Sequence, residues 1–104
     1  MDTEDGLREL KPFMDEEGRL TAFPAKNKKQ LMAIWYLAGK IEAGRQYSEQ
    51  EINNILDKWA VFHDHATLRR EMYNKRLLNR TADCSLYQKE DEIPPLAEFV
   101  AKNI

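Results

Sequence analysis

Apolar residues recur along this chain in helical stripes. Leu31, Ile34, Trp35, Ala38 and Ile41 step by three and four residues, which places them on one face of a helix over Lys28 to Glu42. Gly44 follows the last periodic residue and reads as its C-cap. A second stripe, Ile52, Ile55, Leu56 and Trp59, starts behind Ser48. Ser48-Glu49-Gln50-Glu51 is a capping box, in which the Ser48 side chain accepts from a backbone N–H while Glu51 reaches back. Ala60 to His63 then reads as a turn, and Asp64 as the N-cap of a third helix, Asp64 to Lys75. Leu68 and Met72 face inward on that helix, and Leu77 or Leu78 continues the core.

Shorter patterns flank these stripes. Phe13 to Phe23 reads as strand, turn and strand, with Glu17-Gly18 as the turn and Leu20 and Phe23 as the apolar positions around it. Pro24 ends that segment because it cannot continue a ladder. Gln46-Tyr47 is too short for a strand of its own but suits a small bridge. Leu77 to Arg80 and Ser85 to Gln88 read as two strands around Thr81-Ala82-Asp83-Cys84. Lys89 to Glu92 is a charged break. Pro94-Pro95 opens a final helix, Leu96 to Lys102, with Leu96, Phe99 and Val100 on one face. Its apolar face either closes the core or pairs with its mate in a homodimer.

Together these patterns predict an α+β fold that is mostly helical: a winged helix-turn-helix with a short N-terminal hairpin and a C-terminal helix. Residues 1–12 are expected to be a flexible acidic tail or a short amphipathic turn through Leu7 and Leu10. Residues 13–104 then form a single domain whose last helix lies within 95–103. At 104 residues, 42% of them hydrophobic, the chain supplies one modest core. No apolar run approaches the ~18 residues that span a bilayer. The start, MDTEDGLREL, is acidic and lacks a basic-then-apolar signal pattern, so the chain reads as cytoplasmic. A lone cysteine, Cys84, rules out an internal disulfide and fits a reducing compartment.

The formal net charge of −2 is distributed unevenly. Residues 1–20 carry −4, residues 21–80 carry +5 and residues 81–104 carry −3. A basic middle points to a polyanion, although a solvated mixed surface gives the same distribution. The basic charge concentrates in and after the third helix: Arg69, Arg70, Lys75, Arg76 and Arg80 stand against Glu71 alone between His65 and Arg80. Arginine suits bidentate contact with phosphate or a guanine edge. The second helix of a helix-turn-helix enters the major groove. In that reading Arg69, Arg70, Tyr73 and Asn74 face the groove, and Lys28, Lys29, Lys75, Arg76 and Arg80 contact phosphates. The bland alternative pairs Arg69 or Arg70 with Glu71, Asp64 or the acidic ends.

Other chemistry finds little support. His63 and His65 flank Asp64, and Cys84 lies in the ribbon turn, but no established metal-ligand spacing joins them. His63 more simply packs or caps at the turn, and His65 is exposed. No Gly-rich phosphate loop, nucleophile elbow or paired carboxylates in an apolar setting appear, so neither an enzyme nor a cofactor is expected.

An ordered set of short motifs carries a resemblance. Phe23-Pro24-Ala25-Lys26, Lys28-Lys29-Gln30-Leu31, Tyr36-Leu37-Ala38, Gly44 to Glu49 and Ile52 to Leu56 come first. His63 to Glu71, Leu77-Leu78-Asn79-Arg80 and Tyr87 follow. Over roughly residues 13–88 this resembles a bacterial domain-of-unknown-function family, number 2087. Its members stand alone or behind a DNA-binding helix-turn-helix domain in transcriptional regulators. The resemblance implies a winged-helix-like fold and a link to transcription, and no established activity, cofactor or ligand. It includes Arg45, Tyr47, Asp64 and Arg69; Arg45 as a loop holder and Asp64 at the helix start would be structural roles. Two positions depart from the pattern. Asp83-Cys84 replaces a glycine in the ribbon turn, and Arg76 stands where glycine often precedes the paired leucines. The expected function is a small DNA-binding transcriptional regulator acting on duplex DNA. Its competitor is a protein-interaction or dimerisation module, favoured by the acidic start, the apolar terminal helix and a pI near 5.7.

Overall fold

Residues 3–83 and 85–104 are described by this computed structural model. The chain runs through α1 (Thr3–Arg8), a 3-10 turn (Lys11–Phe13), α2 (Asn27–Ala38) and β1 (Gln46–Ser48). It continues through α3 (Glu49–Trp59), α4 (His65–Asn74), β2 (Leu78–Arg80), β3 (Leu86–Lys89) and α5 (Leu96–Asn103). The fold is α+β, with five α-helices and one small antiparallel sheet in the order β1-β3-β2 among the described residues.

The helices form where the stripes demand burial. Leu31, Ile34, Leu37 and Ala38 of α2, Ile52 and Leu56 of α3, and Leu68 and Met72 of α4 are all buried. The capping box starts α3: Ser48 Oγ accepts from the Glu51 N–H at 3.1 Å, and the Glu51 carboxylate accepts from the Ser48 N–H at 3.0 Å. Such a cap contributes about 1 kcal/mol. The same bonds, the backbone one first, hold the Glu51 carboxyl below the usual carboxylate range. Arg45 reaches Glu51 at 3.2 Å and lies over the Tyr47 ring, so it fastens the preceding loop to α3.

β3 is the middle strand. Tyr47 pairs with Tyr87 across β1 and β3, and both rings are buried. Asn79 pairs with Gln88 across β2 and β3. Gln46-Tyr47 is thus part of a three-residue strand rather than a lone bridge. The sheet packs on α3 and α4, and β2 of the β2–β3 ribbon lies against α4.

Several expectations are corrected. α2 ends at Ala38 rather than Glu42. Lys40 and Ile41 donate three residues back, to Leu37 and Ala38, so the chain tightens into turns while Ile41 stays buried. Gly44, at φ +77°, lies in the loop before β1 and caps no helix. Asp64 holds the N-cap position of α4 without a side-chain cap bond, since its φ −125°, ψ 52° is not the extended conformation a cap adopts. The N-terminal hairpin shrinks to a one-pair bridge, Met14 with Leu20. Leu20 instead makes a parallel bridge to Ala60, with hydrogen bonds to Trp59 and Val61, and so ties this segment to the turn between α3 and α4. The Glu17-Gly18 turn stands as expected. Gly18 sits at φ +78°, where its carbonyl accepts from the Tyr36 hydroxyl at 2.7 Å.

Two terminal segments complete the core. The stretch expected as a tail includes α1, and Leu10 behind it is fully buried; this departs from a loose segment because α1 packs on α2 and α5 and Leu10 joins the core. Residues 1 and 2 lie outside the described residues. Leu96, Phe99 and Val100 of α5 are buried against α1 and α2, so the apolar face of this helix is used within the chain. Trp35 Nε1 donates to the Pro94 carbonyl at 2.9 Å and fixes the entry to α5. Among the described residues no helix is long and apolar enough to cross a membrane.

Candidate nucleic-acid interface

α4 and the β2–β3 ribbon enclose a groove of about 460 Å³. Arg69, Arg70, Tyr73 and Asn74 enter it from α4, Arg80 from β2, Tyr87 from β3 and Glu49 from the start of α3. Helical spacing explains the α4 set, because residues three and four apart share a face. The ribbon adds Arg80, whose guanidinium stacks 4.1 Å from the centre of the Tyr73 ring. Tyr73 is one of two large apolar side chains exposed among the described residues. Three arginines against one glutamate make the groove electropositive.

The arginines differ in how they are held. Arg69 is only 18% exposed; it donates to the Asn53 side-chain oxygen, lies 3.5 Å from the Glu49 carboxylate and sits over the Tyr87 ring. Asn53, the one buried side chain of polar or charged type among the described residues, thereby finds its partner. Tyr87 also donates its hydroxyl to Glu49 at 3.3 Å. Arg70 is exposed and makes no ion pair or hydrogen bond with the described residues.

The remaining candidates are scattered. Lys75 pairs with Glu71 at 3.2 Å, one turn back on α4. Arg76 is exposed at φ +62°, in the left-handed region that favours glycine, at the point where α4 gives way to β2. It borders a neighbouring hollow with Tyr73, Asn74 and Asn79. Lys28 and Lys29 sit at the start of α2 beside the N-terminal segment: Lys28 lies 3.9 Å from Glu9, and Lys29 sits over Phe13. The structure therefore gathers Arg69, Arg70, Tyr73, Asn74 and Arg80 into one groove, leaves Arg76 in the neighbouring hollow with Glu90, and puts Lys28 and Lys29 against other residues.

The ribbon turn is built by Asp83. One of its carboxylate oxygens accepts from the Thr81 hydroxyl at 2.6 Å, the Ser85 hydroxyl at 2.7 Å and the Ser85 N–H at 3.0 Å. These bonds, Thr81 first, pull the Asp83 carboxyl down to about 2. Cys84 lies outside the described residues. At the other end of α4, Asp57 accepts from His65 Nδ1 at 2.9 Å, and His63 Nδ1 stands 3.9 Å away. His65 is thus engaged with α3 rather than simply exposed. Among the described residues no cluster of three or more His, Cys, Asp or Glu side chains is placed to hold a metal.

Glu49, Asn53 and Tyr87 stand in the sequence motifs but are not read there as part of the site. Asn53 carried a signal, since a polar residue beside Ile52 and one turn before Leu56 falls on the buried face of α3 and calls for a partner.

Residues 19–89 match the model of a family described as an uncharacterized protein conserved in bacteria, DUF2087. The chain belongs to that family. No curated protein and no solved structure matches it. The match ends at Lys89, the last residue of β3, so it takes in α2, α3, α4 and the whole sheet.

Proposed function

We propose that this DUF2087 protein is a small bacterial DNA-binding regulator of transcription, built on a winged helix-turn-helix. α3 and α4 are the motif, α4 is the recognition helix and the β2–β3 ribbon is the wing. The element order supports this: a strand before the motif, a ribbon directly after it and a sheet ordered β1-β3-β2. The observation that carries the functional step is the shared groove, where Arg70, Tyr73 and Asn74 of α4 meet Arg80 of the ribbon. Arg70 and Asn74 are the base-edge readers, since exposed arginine and asparagine on one face of a recognition helix suit guanine and adenine edges. Arg76 and Arg80 contact the backbone phosphates. The protein acts in the cytoplasm.

The test is a fluorescence-anisotropy titration against random duplex DNA at low and moderate salt, followed by selection of a preferred sequence. Micromolar binding that weakens steeply with salt is the expected result. On the selected site, Arg70→Ala is expected to cost about 1–3 kcal/mol and relax preference at one position. Arg76→Ala should weaken all sequences alike. Equal losses from both on every DNA would remove α4 from the reading role.

One observation favours a protein-interaction module instead: Lys28, Arg69 and Lys75 each already face an acidic partner, which lowers the free positive charge. Absence of duplex binding even at low salt would select that alternative, and a pull-down for a protein partner would follow.

A further inference from the structure

We infer that Glu49 is a built-in anion in the groove, occupying the place of one DNA phosphate oxygen and holding down the affinity for duplex. The inference rests on the DNA reading above. Among the described residues Glu49 is the only acid that lines the groove, and its side chain is 51% exposed, which leaves it room to swing out. Its carboxylate lies 3.5 Å from the Arg69 guanidinium and accepts from the Tyr87 hydroxyl at 3.3 Å. A guanidinium and a phenol hydroxyl are donors that a phosphate oxygen would use.

The donors stay in place without Glu49. Asn53 accepts from Arg69 on another nitrogen, and the Tyr87 ring lies beneath the guanidinium. Tyr87 is held by its pairing across the sheet. An arginine fixed from two sides loses little freedom on meeting a ligand, so it is a ready phosphate donor once the glutamate leaves. Arg69 is thus a phosphate contact screened by Glu49, and Arg70 beside it remains the base reader.

The substitution Glu49→Gln tests this. It removes the charge and keeps an oxygen for Tyr87. Glu98→Gln, at an exposed position on the outer face of α5 and outside the groove, makes the same change in net charge. Both variants and the unaltered protein are titrated with the same duplex over a range of salt, with thermal melts to confirm folding. Glu49→Gln is expected to bind roughly 2- to 5-fold tighter, the scale of one exposed charge pair. Its log–log salt slope should steepen by about 0.9, one further phosphate neutralised. Glu98→Gln should match the unaltered protein. If the unaltered protein binds DNA and Glu49→Gln behaves like it, or like Glu98→Gln, the screening role is overturned and the DNA reading stands. If no form binds duplex at low salt, both fall together.

Discussion

Arg69 and Arg70 are neighbours in sequence, yet the first is bonded to Asn53 and covered by Tyr87 while the second is exposed. Arg69→Ala leaves the Asn53 side chain buried without its donor, a loss of about 1–3 kcal/mol. Arg70→Ala is expected to stay within about 0.5 kcal/mol of the unaltered protein, as surface changes do. Urea denaturation of the two variants checks the contrast, and equal stabilities would show that the Asn53 contact contributes nothing. Arg76 gives a second test. Its φ of +62° is costly for a residue with a Cβ, and a glycine at this position removes that cost. Arg76→Gly is expected to raise stability by about 1 kcal/mol and, on the proposed DNA reading, to weaken duplex binding, seen as a higher melting temperature and a larger Kd. The sequence showed both arginines as cations but could not separate them. The distinction depends on Asn53, which lies on a different helix and meets Arg69 only after α3 and α4 pack.

The ribbon is the element most exposed to pH. The Asp83 carboxyl falls from its ordinary 3.8 to about 2 because the Thr81 and Ser85 hydroxyls and the Ser85 N–H bond its ionised form. A folded-state value below the unfolded one contributes stability that is present above about pH 4 and lost as pH falls toward 2. Asp15, bonded by the Arg19 and Glu17 backbone, and Glu51 in the capping box are lowered too and act in the same direction. An acid titration followed by circular dichroism should therefore begin to lose structure below about pH 4. Asp83→Asn should flatten the ribbon's share of that loss, seen as Thr81 and Ser85 amide shifts that no longer titrate. At this scale the elements with strong local signals were legible: the capping box set the start of α3, and Leu68 and Met72 set the inward face of α4. β1 was not, because Gln46-Tyr47 has too few residues to signal a strand and becomes one only when β3 pairs with it. The end of α2 was also missed, since Ile41 keeps the helical spacing while its backbone has already turned.

Across the whole molecule, the two ends of the chain hold the middle. α5 covers α2 and α1, and Leu10 and Leu20 reach into the same core. Phe99 is the largest fully buried side chain, so Phe99→Ala should cost about 3–5 kcal/mol. A domain of this size has only about 5–15 kcal/mol to lose, and a thermal melt should fall by tens of degrees or lose its cooperativity. A melt shifted by only a few degrees would show that α5 docks loosely. The terminal regions were the least legible part of the sequence: Leu10 and Leu20 lie in short segments without a period, and their burial follows from distant partners. The groove was half legible, as its positive side was readable in Arg69, Arg70 and Arg80, whereas Glu49 and Tyr87 join it only through the packing of α3 and β3. The bond from the Trp35 indole to the Pro94 carbonyl has an optical consequence. That ring sits half-buried at the seam where α5 meets α2, so its emission colour reports whether the last helix is docked, and replacing Trp59 with Phe would leave it the sole indole in the protein.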